Sequence, residues 1–311
     1  MSTLDSALPI ADLDEAGIVA RLERVRERTL SLVAGLDWET LRQQHIPILS
    51  PMVWDLGHLA HFEELWLCQQ IADLEPLQPE FASMFDAVSN PRPTRKDLPL
   101  PVARSLWSYM SQVRQQAIEV LHDLPAVSRS RSLLEHGFVY ELVAEHEEQH
   151  QETVLQLLQV LDSPSYLPAV RRRLPEGRDL LDTMVVIPAG AFSMGRSGPG
   201  FAYDNESPAH EMSLPAFLID KAPVSCGQYL EFIEDRGYSR SELWSRSGWQ
   251  WLESSGAVAP GNWHLDEGVW RVRHMDTQGE LDPDLPVVHV CYYEAEAFAR
   301  WAGKRLSLIH I

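Results

Sequence analysis

Cysteine is scarce. Cys68, Cys226 and Cys291 are the only 3 in 311 residues, an odd number set far apart. That excludes a disulfide framework as the organising principle and makes a reducing cytoplasm the expected compartment. Long apolar runs are absent too: nothing approaches the ~20 residues of a membrane-crossing helix. The opening Met-Ser-Thr-Leu-Asp-Ser has no basic stretch leading into an apolar one, which argues against a signal peptide. Positive charge is in deficit, with 26 Lys and Arg against 45 Asp and Glu, a formal net charge of −19. A cationic face for nucleic acid or anionic membrane is therefore not expected. There is no internal repeat and no low-complexity tract.

What is present is ordinary globular material, 45% apolar and 23% charged with 10 Trp, enough for a sizeable core. At roughly 150 residues per domain the length suggests two. The most informative stretch is Glu141-Leu-Val-Ala-Glu-His-Glu-Glu-Gln-His-Gln-Glu152. It places His146 and His150 four apart in a helical segment, on one face and one turn from each other. Leu142 and Val154 continue that face, so it points at a core. An isolated pair of this spacing is more often two surface histidines on a charged helix. Burying two imidazoles needs a compensating partner, and a shared metal ion is one.

Ahead of this helix the pattern predicts three others. Residues 12 to 36 carry Ile18, Leu22, Val25, Leu32 and Val33 at helical spacing, with Asp12 or Asp14 as cap and Gly35 near the stop. Residues 53 to 71 put Trp54, His58, Phe62 and Leu65 on one stripe and leave His61 off it. Residues 102 to 124 align Leu106, Met110, Val113, Ala117 and Leu121. With the His146 helix, about 130 to 161, these make a four-helix bundle, a fold whose metal sites are built from inward side chains on facing helices. Residues 72 to 101 are proline-rich and expected to be irregular. Within them Asn90-Pro-Arg-Pro-Thr-Arg95 presents two arginines on a stiff loop, either a solvated connector or a carboxylate clamp. Pro164, Pro168 and Pro175 with Arg171 to Arg173 mark a linker.

Beyond it the pattern changes to α+β. Short strands are expected near 184 to 195, at Phe217 to Asp220 and at Pro286 to Val290, with helices at 225 to 235 and 293 to 302. Trp244, Trp249, Trp251, Trp263 and Trp270 fit the packing of a strand-poor domain better than ligand stacking. His58, His146 and His150 form the candidate metal set. Three protein ligands leave open positions, as in catalytic sites. Glu152, two residues past His150, faces elsewhere on the helix and is ranked a supporting residue behind the ligands.

Taken together, His146-x3-His150-x-Glu152, Ser50-Pro-Met-Val-Trp-Asp-Leu-Gly-His58 and Asn90-Pro-Arg-Pro-Thr-Arg95 resemble the non-haem iron sulfoxide synthases of ergothioneine biosynthesis. That family joins a DinB-like bundle to a formylglycine-generating-enzyme-like, or C-type-lectin-like, α+β domain. Ile187-Pro-Ala-Gly-Ala-Phe-Ser-Met-Gly195, Asp204-Asn-Glu-Ser-Pro-Ala-His210 and Pro286 to Leu306 resemble the second domain. The resemblance implies a bundle over 10 to 163, a linker over 164 to 182 and a partial second domain over 183 to 306. It implies Fe(II) on His58, His146 and His150, substrate-thiol carboxylates on Arg92 and Arg95, and Gln149 beside hercynine. The implied reaction uses O2 to join the sulfur of γ-glutamylcysteine, or of cysteine, to the imidazole of hercynine as a sulfoxide.

The last residues, Ser307 to Ile311, resemble the translation of a sequencing-library adapter. A non-native tail and a truncated, inactive chain are therefore expected, and the family resemblance implies a proton-donating tyrosine outside it. Three alternatives stay open: a selenoneine synthase of the same family, a DinB-type metal-dependent thiol transferase lacking the second domain, and a non-enzymatic lectin-like binder.

Overall fold

The computed structural model describes residues 14–124, 132–161 and 183–307. Asp14 opens the first helix, α1 (Glu15–Val33), by accepting the Gly17 amide at 2.8 Å, a donor that the helix start would otherwise leave bare. The expected stripe of Leu22, Val25, Leu32 and Val33 is buried, and Arg26 and Thr29 are buried with it. A short α2 (Trp38–Arg42), capped by Asp37, leads to α3 (Met52–Glu63). The sequence predicts one apolar stripe on α3, yet every residue from Met52 to His61 is buried. His61 is off the His58 stripe and inside the protein all the same. α3 continues through a π-helical turn, Glu64–Gln69, into α4 (Gln70–Ala72) and stops at Asp73, whose φ of 53° is left-handed.

The proline-rich connector is more ordered than its composition suggests. It contains α5 (Pro79–Met84) and a 3-10 helix, Arg92–Asp97, where a loose extended loop is expected. Each has a proline in its first turn, where a fixed φ favours the helix and the missing N–H is not needed. Then come α6 (Ala103–Asp123) and α7 (Phe138–Val160). α7 starts later than the predicted 130. Residues 130 and 131 lie outside the described residues, and left-handed backbone at His136 (φ 52°) and Gly137 (φ 69°) delays the helix to Phe138.

All four long helices contribute to one core through Leu22 and Val25, Leu67 and Cys68, Ala117 and Leu121, and Val139 and Val143. They also share a buried charge network with one member from each. Arg26 of α1 reaches Glu63 of α3 at 2.7 Å and Glu147 of α7 at 2.8 Å. Arg114 of α6 reaches Glu63 at 3.1 Å. Thr29 and Gln151 extend the network, Thr29 donating to Glu147 at 2.7 Å. Burial pushes the Glu63 carboxyl up, but Arg114 and Arg26 together outweigh it and hold it below the usual carboxylate value.

By packing, the chain forms two compact units, Met1–Leu167 with Gly195–His210, and Pro168–Met194 with Glu211–Ile311. The Gly195–His210 segment, expected in the second domain, packs with the first unit. The predicted linker, 164 to 182, and the tail from 308 onward lie outside the described residues.

In the second unit, β1 (Met184–Ile187) pairs antiparallel with β4 (Phe217–Asp220), and β2 (Gly190–Met194) is hydrogen-bonded to β3 (His210–Leu214), whose first residue groups with the first unit. β5 (Trp263–Asp266), β6 (Val269–His274) and β7 (Thr277–Glu280) form an antiparallel meander where the sequence reads as strand-poor. α8 (Cys226–Glu234), α9 (Arg246–Ser255) and α10 (Tyr292–Trp301) supply the helical part. Tyr229, Phe232, Trp244, Trp263 and Phe298 share one core, so the tryptophans do pack. The predicted buried strand Pro286 to Val290 is not one. It makes a single bridge, Pro286 to Ser225, it is half-exposed to exposed, and His289 turns left-handed at φ 63°. Proline has no N–H for a ladder, and a left-handed residue leaves the extended region.

Candidate metal centre

α3 and α7 bring three imidazoles together. A nitrogen of each of His58, His146 and His150 lies within 4.8 Å of the others, and among the described residues this is the only cluster that could hold a metal ion. The ring centroids are 5.0 Å apart for His58–His146, 5.1 Å for His58–His150 and 4.7 Å for His146–His150. The i, i+4 spacing on α7 sets the last of these. The first two depend on how α3 is docked.

Each ring is held differently. His58 stacks on Trp54 at 4.9 Å and 14°, and its Nδ1 lies 2.7 Å from the Phe85 carbonyl oxygen. A carbonyl only accepts, so Nδ1 carries the proton and Nε2 keeps its lone pair for the cluster. That contact depends on Gly57, where a Cβ would fall 2.2 Å from the Phe85 ring. Trp54 and Asn90 tie down the same corner by donating to the Met84 carbonyl at 2.9 and 3.2 Å. His146 stacks face to face on Phe62 at 3.8 Å and 15°. His150 turns Nδ1 toward the buried Asp55 carboxylate at 3.5 Å.

Two of the three rings are held toward the neutral form. Burial, then the neighbouring His150, pushes His58 down to about 4, with the Phe85 carbonyl and Asp55 opposing in part. Burial, His150 and His58 likewise push His146 well below the ordinary histidine value. A metal needs the unprotonated ring, so the fold has already removed most of the proton competition at neutral pH. The thiols are not poised for such chemistry: burial pushes Cys68 up to about 12 and Cys226 up to about 11.

The other expected site residues fare unequally. Arg92 is exposed and donates to the Ile48 carbonyl at 3.1 Å. Arg95 is only 6% exposed: its guanidinium lies 3.4 Å over the Trp54 ring and donates to Asn90 O and Ser50 Oγ at 2.8 and 2.7 Å. It is thus already committed to the wall behind His58. Gln149 is exposed beside His150, and its amide donates to the Tyr203 hydroxyl at 2.8 Å. Glu152 does not support the ligands. Two residues is more than half a turn, and its side chain is exposed. The carboxylate that does face the cluster is Asp55, which pattern reading passes over. The one available signal was its i−3 position from His58 on α3.

Among the described residues no helix is long and apolar enough to cross a membrane. The DinB superfamily matches residues 21–154, and the sulfatase-modifying factor enzyme 1-like domain matches residues 171–308. Hercynine oxygenase of Mycolicibacterium smegmatis is 39% identical over 92% of this chain and 65% of that protein. The hercynine oxygenase of Mycobacterium tuberculosis is 40% identical over 93% of this chain and 67% of its own length. The formylglycine-generating enzyme of Thermomonospora curvata is 35% identical over 46% of this chain and 50% of that protein. This chain spans about two thirds of the length of the hercynine oxygenases it matches.

Proposed function

This chain belongs to the hercynine oxygenase family, and from that premise we propose that it serves iron(II)- and O2-dependent joining of hercynine to a cysteine-type thiol, in the cytoplasm, as a step of ergothioneine biosynthesis. The observation that carries the reading is the preformed set of His58, His146 and His150 on two docked helices. Three neutral nitrogens fit a first-row divalent metal and leave room for substrates. Iron(II) held there would supply open coordination positions and redox chemistry for the reaction of a thiol with O2.

The remaining roles belong to the chain's own side chains. Arg92 has an exposed guanidinium, suited to gripping a substrate carboxylate through two parallel hydrogen bonds. Arg95, stacked on Trp54, keeps a second positive charge at the same edge. The Gln149 amide is oriented by Tyr203, so its carbonyl remains for hercynine. γ-Glutamylcysteine is the first choice of thiol because two arginines lie close in sequence. Cysteine is the second reading, favoured by the burial of Arg95, which leaves Arg92 as the exposed cation of the pair.

The test extends the chain after Leu306 with the last third of the M. tuberculosis relative. The fusion is loaded with Fe(II) and given hercynine, air and either thiol. The expected product is the hercynyl sulfoxide, identified by mass spectrometry. Arg92→Lys should raise KM for γ-glutamylcysteine about tenfold more than for cysteine, because lysine keeps charge but loses the fork. Iron-loaded protein that leaves hercynine untouched with both thiols would overturn the reading. An equal KM effect on both would make Arg92 a connector residue.

A further inference from the structure

Asp55 is a buried carboxylate without a structural explanation in its own helix. It is 3% exposed, and its Oδ2 has no hydrogen-bond partner among the described residues. It lies in the first turn of α3, where the helix dipole favours an anion, but no side chain caps that terminus. A dipole alone is a weak reason to strip water from a charge. Two groups face it. Arg95 feels its charge from one side. From the other, the Nδ1 of His150, also buried and also without a hydrogen-bond partner, stands 3.5 Å from its Oδ1.

Resting on the metal reading above, we propose that Asp55 is a positioning residue of the site. Its carboxylate accepts the Nδ1 proton of His150, which fixes the tautomer and turns Nε2 to the cluster as a more basic donor. The separation is slightly longer than an ideal hydrogen bond. The arrangement parallels that of His58, whose Nδ1 is held by a carbonyl oxygen. Two of the three rings thus have an acceptor behind them, and Asp55 adds what the carbonyl lacks, a full negative charge. Three neutral imidazoles leave a dipositive ion uncompensated, and a buried anion one ring away offsets that charge. Arg95 balances the same anion when the metal is absent. Because Asp55 precedes His58 by three residues, α3 supplies one ligand and the support for another that comes from α7.

The experiment is titration of the 311-residue chain with Fe(II) and with Co(II) under anaerobic conditions. The proteins are wild type, Asp55→Ala, Asp55→Asn, the exposed control Glu152→Gln, and His150→Ala. The proposal expects Asp55→Ala to lose on the order of 10- to 100-fold in affinity for both metals. Asp55→Asn should fall between, since an amide oxygen still accepts but carries no charge, and Glu152→Gln should match wild type. Histidine side-chain 15N spectra of the metal-free proteins give a second readout, in which His150 is the Nδ1–H tautomer in wild type and loses that preference in Asp55→Ala. A general loss of packing would not move that signal selectively. If Asp55→Ala does not fold, Asp55→Asn decides by the same two readouts. Affinity within twofold of wild type, or an unchanged His150 tautomer, overturns the proposal. If instead His150→Ala binds both metals like wild type, the metal reading itself fails and this inference falls with it.

Discussion

At the scale of residues, the histidines tie metal binding to folding. His58 sits near 4 in the folded chain against an ordinary 6.5, and His146 is shifted the same way. Between these values the unfolded chain binds more protons than the folded one. Stability of the metal-free protein is therefore complete above pH 6.5 and is lost as pH falls toward 4. His58 alone accounts for about 3 kcal/mol of that change. Urea unfolding of the metal-free chain at pH 7.5 and pH 5 checks this: the midpoint should be clearly lower at pH 5, and equal midpoints would contradict it. The Glu63 carboxyl, shifted below its usual value, becomes limiting only in more acid solution. The three histidines were legible because helical spacing assigns each to a face. Asp55 was not, since its partner His150 lies on another helix, and no spacing within α3 reveals a contact across the bundle. The same blindness let Glu152 stand in for it, and neither the connector nor the clamp that spacing allowed for Arg95 anticipates a guanidinium packed on Trp54.

At the scale of elements, the bundle's periodicity gave the apolar half of the interface and missed the charged half. Glu147 and Glu148 are adjacent on α7 and look alike in sequence. Glu147 is buried against Arg26 and Thr29, whereas Glu148 pairs with Arg21 near the surface at 2.7 Å. Removing one partner of a buried ion pair strands the other, so Glu147→Ala should destabilise by about 3–5 kcal/mol. Glu148→Ala should cost under about 1 kcal/mol. Denaturant unfolding of both variants measures the contrast, and similar losses would contradict a structural role for the network. Glu147 follows His146 directly, so the ions that fix the register of α7 also fix where its histidines enter. The start of α7 was misread because left-handed backbone at His136 cannot be inferred from apolar spacing.

At the scale of the whole molecule, the change from helical to mixed pattern after the proline-marked linker was legible in residue spacing, as was the number of long helices. The packing of Gly195–His210 against the first unit was not: it is a local strand-linking segment by sequence, and contacts such as the bond from Gln149 to Tyr203 cannot be read from spacing. The Pro286 to Val290 segment went wrong because apolar β-branched residues signal a strand without supplying a neighbour for its hydrogen bonds. The central claim is that one metal ion is held by three imidazoles from α3 and α7. It is tested most directly by anaerobic Fe(II) titration of the 311-residue chain beside His150→Ala and His61→Gln. His61 is the informative control, since it is buried on the same helix as His58 but belongs to no metal-binding cluster among the described residues. The account predicts one iron per chain in wild type and in His61→Gln, and none in His150→Ala. Stoichiometric iron retained by His150→Ala, or lost equally in His61→Gln, would contradict it.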